Sequence, residues 1–166
     1  MATEDNLKEA FAGESQANRR YLAFAKKADA EGKPGIARLF RAAAAAETVH
    51  AHAHLRVLGE VKSTAENLKV AVEGESHEFK TMYPDFAKEA QAKGNKAALA
   101  SFQNAMAVEE VHAGLYSDAA KVLAEGGDTP DETIYVCGIC GNTIIGEAPD
   151  TCQVCGASKS KFEPVE

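Results

Sequence analysis

Two short stretches, Glu47-Thr48-Val49-His50 and Glu109-Glu110-Val111-His112, decide the reading of this 166-residue chain. Each sets a carboxylate and an imidazole three residues apart, which on a helix places both on one face. The flanking sequence predicts that helix. Ile36, Phe40, Ala43, Glu47, His50, His54 and Val57 keep the three-and-four spacing of an amphipathic helix. Leu99, Phe102, Met106, Glu109, His112, Tyr116 and Leu123 do the same. The acids and histidines therefore lie on the apolar stripes, where carboxylates ordinarily do not belong.

Outward from these stretches, two more stripes appear. One carries Leu7, Phe11, Glu14, Tyr21, Leu22 and Ala25; the other carries Leu68, Val72, Glu75, Glu78 and Met82. Residues from about Asn6 to Ala124 thus read as four long helices. Breaks fall at Glu31 to Gly35, Gly59 to Thr64, and Lys93 to Asn95. Pro84 lies inside the third helix and predicts a kink or bulge near Met82 to Ala87. The pattern also repeats. Gly13-Glu14-Ser15 recurs as Gly74-Glu75-Ser76 at an offset of 61, while Gly32, Phe40 and Glu47-x-x-His50 recur as Gly94, Phe102 and Glu109-x-x-His112 at an offset of 62. One helix hairpin used twice, with pseudo-twofold symmetry, is the reading.

Glu14, Glu47, Glu75, Glu78 and Glu109 converge in such a bundle. Burying an unpaired carboxylate costs on the order of several kcal/mol, and converging acids repel one another. A multiply charged cation resolves both problems. Two Glu-x-x-His pairs with a Glu from each remaining helix is the ligand pattern of ferritin-like di-iron and di-manganese proteins. Carboxylate with imidazole suits iron or manganese. His52 and His77 sit off the stripes and read as surface residues; His54 reads as a core residue or a neighbour of a ligand.

From Gly126 the composition changes. Gly126 to Pro130 reads as a linker, followed by strand-like pieces at Thr133 to Val136 and Thr143 to Ile145. Cys137-x-x-Cys140 and Cys152-x-x-Cys155 are separated by eleven residues, and Gly141 and Gly156 follow the second cysteine of each pair. Four thiolates at this spacing make a tetrahedral site for zinc or iron. A redox relay to a neighbouring di-iron site favours iron. The expected domains are 1–126 for the bundle, 127–133 for the linker and 134–166 for the cysteine module. The fold class is mainly α: a ferritin-like four-helix bundle with a small rubredoxin-like β/turn domain.

The formal charge of −7 argues against nucleic acid, which needs a clustered basic surface. The acidic start is followed by no apolar run, so neither a signal peptide nor a membrane span is expected and a cytoplasmic location is the default. There, four cysteines read as metal ligands rather than disulfides.

These segments resemble rubrerythrin. The resemblance rests on Ala12 to Tyr21, on the two Glu-x-x-His segments, on Gly74-Glu75-Ser76-His77-Glu78 running to Met82-Tyr83-Pro84, and on Tyr135 to Gly141 with Cys152 to Gly156. It departs where Gly138 and Gln153 replace the proline that often follows a knuckle's first cysteine. The resemblance implies a non-haem di-iron peroxidase that reduces hydrogen peroxide in oxidative-stress defence. Electrons would come from a donor protein, such as a rubredoxin or an NAD(P)H-dependent reductase, through the four-cysteine iron. Glu47 and Glu109 would bridge two irons, Glu14 would hold one, and Glu75 with His112 the other. Glu78 and His50 would alternate, glutamate when oxidised and histidine when reduced. Charge agrees: four carboxylates match a ferrous pair, and oxidation favours one more anion. Pro84 is expected to loosen the helix near Glu78. Tyr21 is expected either to donate a hydrogen bond to a ligand glutamate or to pack in the bundle. The alternatives are a ferroxidase or iron-storage protein with structural zinc on the cysteines, and an electron-transfer protein.

Length adds one expectation. A helix of roughly 25 residues spans ~38 Å, whereas the connection from Gly59 to about Ala65 reaches at most ~25 Å. That is too short to run back along the bundle, so a hairpin-swapped homodimer is expected.

Overall fold

A computed structural model describes residues 2–165; Met1 and Glu166 lie outside the described residues. The chain is mainly helical, with a small β module at its C-terminal end, and divides into two compact units, residues 1–62 and 63–166.

The first unit is a helix hairpin, α1 (Ala2–Ala30) and α2 (Pro34–Leu58). Alanine builds it twice over. It is the strongest helix former, and its small side chain lets the two backbones approach. Ala25 and Ala28 of α1 and Ala37, Ala44 and Ala51 of α2 form the buried seam, the last three repeating every seven residues. Asn18 crosses the seam, its amide donating to the Ala44 carbonyl at 2.6 Å and to Thr48 Oγ1 at 2.9 Å. The turn needs Gly32, which sits at φ 67°.

The second unit opens with α3 (Thr64–His77). Ser63 caps it: its hydroxyl accepts from the Glu66 N–H, and the Glu66 carboxylate accepts from the Ser63 N–H. A π-helical turn follows at Glu78–Met82, then α4 (Tyr83–Ala92) and α5 (Lys96–Ala124), which Asn95 caps by accepting from the Ala98 N–H. The cysteine module packs onto the same unit as three antiparallel strands, β1 (Ile134–Cys137), β2 (Thr143–Ile145) and β3 (Phe162–Val165), in the order β2-β1-β3. Its core is Cys137, Ala148, Cys152 and Phe162.

The irregularity expected from Pro84 is present, one turn earlier than the sequence suggested. Proline has no N–H to offer the carbonyl four residues back, and its ring crowds that carbonyl. The strain therefore falls on the preceding turn. There the Tyr83 N–H reaches back five residues to the Glu78 carbonyl, while the helix after Pro84 continues undisturbed.

This turn also explains why the repeat offset is not constant. Glu14 and Glu75 differ by 61, but Tyr21 and Tyr83 differ by 62. A turn closed over five residues holds one more residue than an α turn. The π turn absorbs that residue and brings the two hairpins back into correspondence. Aromatic packing shows the restored match. Tyr21, Phe24 and Phe40 have ring centroids 6.3, 6.2 and 5.5 Å apart; Tyr83, Phe86 and Phe102 have them 6.3, 6.3 and 5.6 Å apart.

Candidate metal centre

Each hairpin carries one triad of candidate metal ligands. In the first, α1 supplies Glu14, and α2 supplies Glu47 and His50 one turn apart. His50 Nδ1 lies 3.0 Å from Glu47 Oε2 and 4.0 Å from Glu14 Oε1. In the second, α3 supplies Glu75, and α5 supplies Glu109 and His112. His112 Nδ1 lies 2.7 Å from Glu109 Oε2 and 3.8 Å from Glu75 Oε1. Within each triad the donor atoms lie within 4.8 Å of one another. A metal with bonds of about 2.1 Å sets neighbouring donors roughly 3 Å apart, so both triads fit one ion each.

Electrostatics point the same way. No Lys or Arg pairs with Glu14, Glu47, Glu75 or Glu109 among the described residues; their cation-capable neighbours are histidines, His50 and His54 in the first hairpin and His112 in the second. The hydrogen bond between Glu14 and Glu47, helped by burial and by the charge of Glu47, raises the Glu14 pKa, while that same bond and the one from His50 lower the Glu47 pKa. The contact between the two carboxyls thus favours the proton on Glu14 and the charge on Glu47, and a metal ion bound between them would relieve their repulsion. Burial first, then the Glu109 charge, raises the Glu75 pKa.

Glu78 is half-buried at the start of the π turn. It stands outside both triads, close enough for its charge to act on Glu75 and on Tyr83. Tyr21 packs against Phe24 and Phe40, and among the described residues no hydrogen bond joins it to a glutamate. His52 and His77 are exposed, and His54 is half-buried, its charge acting on Glu14.

Tyr83 is the aromatic that sequence reasoning overlooked. Burial, then the charges of Glu78, Glu109 and Glu75, raise its pKa, so it keeps its proton beside the second triad. The repeat offset of 62 applied to Tyr21 would have found it.

The four cysteines converge. Cys137 and Cys155 Sγ are 3.8 Å apart, and Cys140 and Cys152 Sγ are 3.7 Å apart. A tetrahedron with metal–sulfur bonds of about 2.3 Å has edges of about 3.8 Å, whereas a disulfide requires about 2.05 Å. Burial pushes the Cys140 thiol up to about 12. Burial also opposes the Cys152 thiolate, but the N–H groups of Cys155 and Val154 and the neighbouring thiols outweigh it and bring its pKa down to about 7. Asn142, buried to 3 % exposure, donates its amide to Cys152 Sγ at 3.8 Å.

One contact joins the module to the second triad. His112 Nε2 lies 2.9 Å from Thr143 Oγ1, and the Thr143 hydroxyl donates to the Gly141 carbonyl at 3.2 Å. A cavity of about 260 Å³ lies alongside, walled by His112, Tyr116, Pro130, Ile134, Thr143 and Ile145. No described helix is long and apolar enough to cross a membrane.

Known proteins share these features. A sequence model of rubrerythrin matches residues 5–120, and one of the rubrerythrin rubredoxin-like domain matches residues 135–163. Rubrerythrin-2 of Clostridium acetobutylicum is 35 % identical over 97 % of this chain and 95 % of its own length. Nigerythrin of Nitratidesulfovibrio vulgaris is 36 % identical over 97 % of this chain and 85 % of its own. Solved nigerythrin structures, in mixed-valence and all-ferrous states, match with a TM-score of 0.59 over 98 % of this chain and 86 % of theirs. The chain belongs to the rubrerythrin family, whose di-iron carboxylate–histidine site and four-cysteine rubredoxin-like iron site account for the two kinds of cluster found here.

Proposed function

We propose that this protein is a peroxidase that reduces hydrogen peroxide to water, with two electrons and two protons entering per peroxide. The observation that carries the reading is the pair of carboxylate–histidine triads without a Lys or Arg partner in the same chain as a four-cysteine tetrahedron, one triad hydrogen-bonded through His112 to Thr143 of the cysteine module. When bound, the iron pair supplies the two electrons and the four-cysteine iron supplies their replacements. Glu47 and Glu109 would serve both irons, Glu14 would hold one and Glu75 with His112 the other, and His50 or Glu78 would supply the remaining ligand.

The residues explain why peroxide is a suitable oxidant. Glu14, Glu47, Glu75 and Glu109 together neutralise a ferrous pair. Glu78 adds the carboxylate that a more highly charged pair favours. It stands at the head of a π turn, and such turns recur at functional sites. Tyr83, held protonated, is a hydrogen-bond donor next to these carboxylates.

The second half of the proposal concerns assembly. The α2 helix of 25 residues spans ~38 Å, and the five residues 59–63 that lead to α3 reach at most ~18 Å. We infer a dimer in which the first hairpin of one chain completes its site with the second hairpin of a partner chain.

The test is anaerobic stopped-flow spectroscopy of the reduced protein with metal analysis. Peroxide should oxidise the di-iron site faster than oxygen does, and the cysteine iron should follow. Faster oxidation by oxygen, with zinc on the cysteines, would instead establish a ferroxidase.

A further inference from the structure

We propose that Thr143 is a positioning residue: by holding the outer nitrogen of His112 it makes His112 the fixed histidine of the di-iron site and leaves His50 as the mobile one. This rests on the reading of both histidines as iron ligands. The two Glu-x-x-His segments are equivalent in the repeat, and each points Nδ1 at its own carboxylates. They differ at Nε2. His112 Nε2 meets Thr143 Oγ1 at 2.9 Å. Among the described residues, His50 Nε2 has no hydrogen-bond partner, and its side chain is 56 % exposed against 26 % for His112.

The direction of the bond follows from the hydroxyl. Thr143 spends its own proton on the Gly141 carbonyl, so only lone pairs face His112. Nε2 therefore carries the proton, and Nδ1 keeps its lone pair for the metal. The anchor is stiff. Threonine is β-branched, and Thr143 lies in β2, paired with Val136 of β1. A second contact supports it one turn along α5. Val108 is 2 % exposed and packs on the knuckle backbone, where a Cβ built on Gly141 would come within 3.8 Å of its Cγ1. The repeat counterpart of Val108, Ala46, is exposed. Swinging His112 away from its metal therefore breaks a part-buried hydrogen bond at Nε2, whereas swinging His50 away breaks none at that nitrogen. Two chemically equal histidines become unequal through a threonine 31 residues distant in sequence.

The experiment is anaerobic Fe(II) titration of the full-length protein with the cysteine iron in place, whose visible absorption reports that the module is folded. Thr143→Val should weaken bundle Fe(II) binding by about 10-fold or more, the scale for partners that orient a ligand histidine. Thr143→Ser should restore it to within roughly threefold. In the full-length zinc-substituted protein, ¹⁵N-histidine spectra should show His112 as the Nε2–H tautomer, lost in Thr143→Val and kept in Thr143→Ser. Unchanged Fe(II) affinity in Thr143→Val would overturn the proposal, as would an Nδ1–H tautomer in the wild-type chain. The tautomer decides alone if Thr143→Val loses the cysteine-iron absorption. His112→Ala separates the two readings. If it binds iron like wild type, the ligand assignment has failed; if it loses iron while Thr143→Val does not, only the role of Thr143 has failed.

Discussion

The two hairpins are nearly the same object. Each brings a Glu from one helix and a Glu-x-x-His from the next to a single point, and each stacks a tyrosine and two phenylalanines a few turns away. Each also leaves an apolar hollow at corresponding positions, Phe24, Ala28, Ile36 and Phe40 in one and Phe86, Ala90, Ala98 and Phe102 in the other. They differ in three respects, all on the second hairpin: one extra residue in a π turn, an additional carboxylate at its head, and a histidine tied to the cysteine module. The triads are thus matched, while the acid beside them and the tether on the histidine are not. Matched triads suit one ion each; the asymmetry sets a further acid and an anchored histidine on the second hairpin alone.

The comparison breaks most sharply if the halves do not complete each other across chains. Glu47→Ala disables the first half-site and Glu109→Ala the second. Each variant alone should lose the bundle iron while keeping the cysteine iron. A mixed dimer carrying one chain of each has one doubly disabled site and one with only native residues, if hairpins pair between chains. Co-expressed and purified through two different tags, it should recover about half the wild-type bundle iron per dimer, as expected when one of two identical sites is intact. Bundles closed within each chain would recover none. Metal analysis of the mixed dimer decides between an all-or-none pair of outcomes.

Next in size is the extra residue. Deleting Glu78 should convert the π turn into an α turn and place Tyr83 seven residues after Glu75, as Tyr21 follows Glu14. The protein should fold and bind iron, but peroxide turnover should fall on the order of 10–100-fold, as in Glu78→Gln. Unchanged turnover in the deletion would mean that the difference between hairpins has no catalytic use. Pro84→Ala addresses the cause of the turn: if turnover is unaffected, proline does not supply the mobility of Glu78.

Much of this was legible in the sequence, for a physical reason. A helix writes its buried face into the chain every three or four residues, so acids on that face stand out, and a duplicated hairpin writes them twice. The cysteine spacing is equally local. What escaped depended on contacts made at a distance. The strain of Pro84 lands on the turn before it because of where the missing N–H should have pointed. Thr143 meets His112 only because the module packs on α5, and β3 exists only as the partner of β1. Asn142 gains a role only from its amide lying against Cys152, a contact made across ten residues. Tyr83 is the exception. It was readable from the repeat, but only by accepting that an offset of 61 and one of 62 describe the same duplication.

The smallest difference between the halves appears when the bundle metal is removed. In the first half-site the contact that raises the pKa of Glu14 lowers that of Glu47, so their contributions to pH-dependent stability oppose. In the second, burial and then the Glu109 charge raise Glu75. A carboxyl with a raised native pKa binds its proton more readily folded than unfolded. It therefore favours the fold as pH drops through the raised value, with the gain complete below the ordinary value of 4.5. Between pH 7 and pH 5 the metal-free protein should gain stability from Glu75, by less than about 1 kcal/mol because solvent still reaches and screens this half-buried group. Thermal unfolding of wild type and Glu75→Gln, each at both pH values, isolates the contribution as the difference of differences. Glu75→Gln should flatten the dependence more than Glu14→Gln does. An equal effect from Glu14→Gln would show that the opposed shifts of the first pair do not cancel, and that the halves are alike in their unmetallated electrostatics after all.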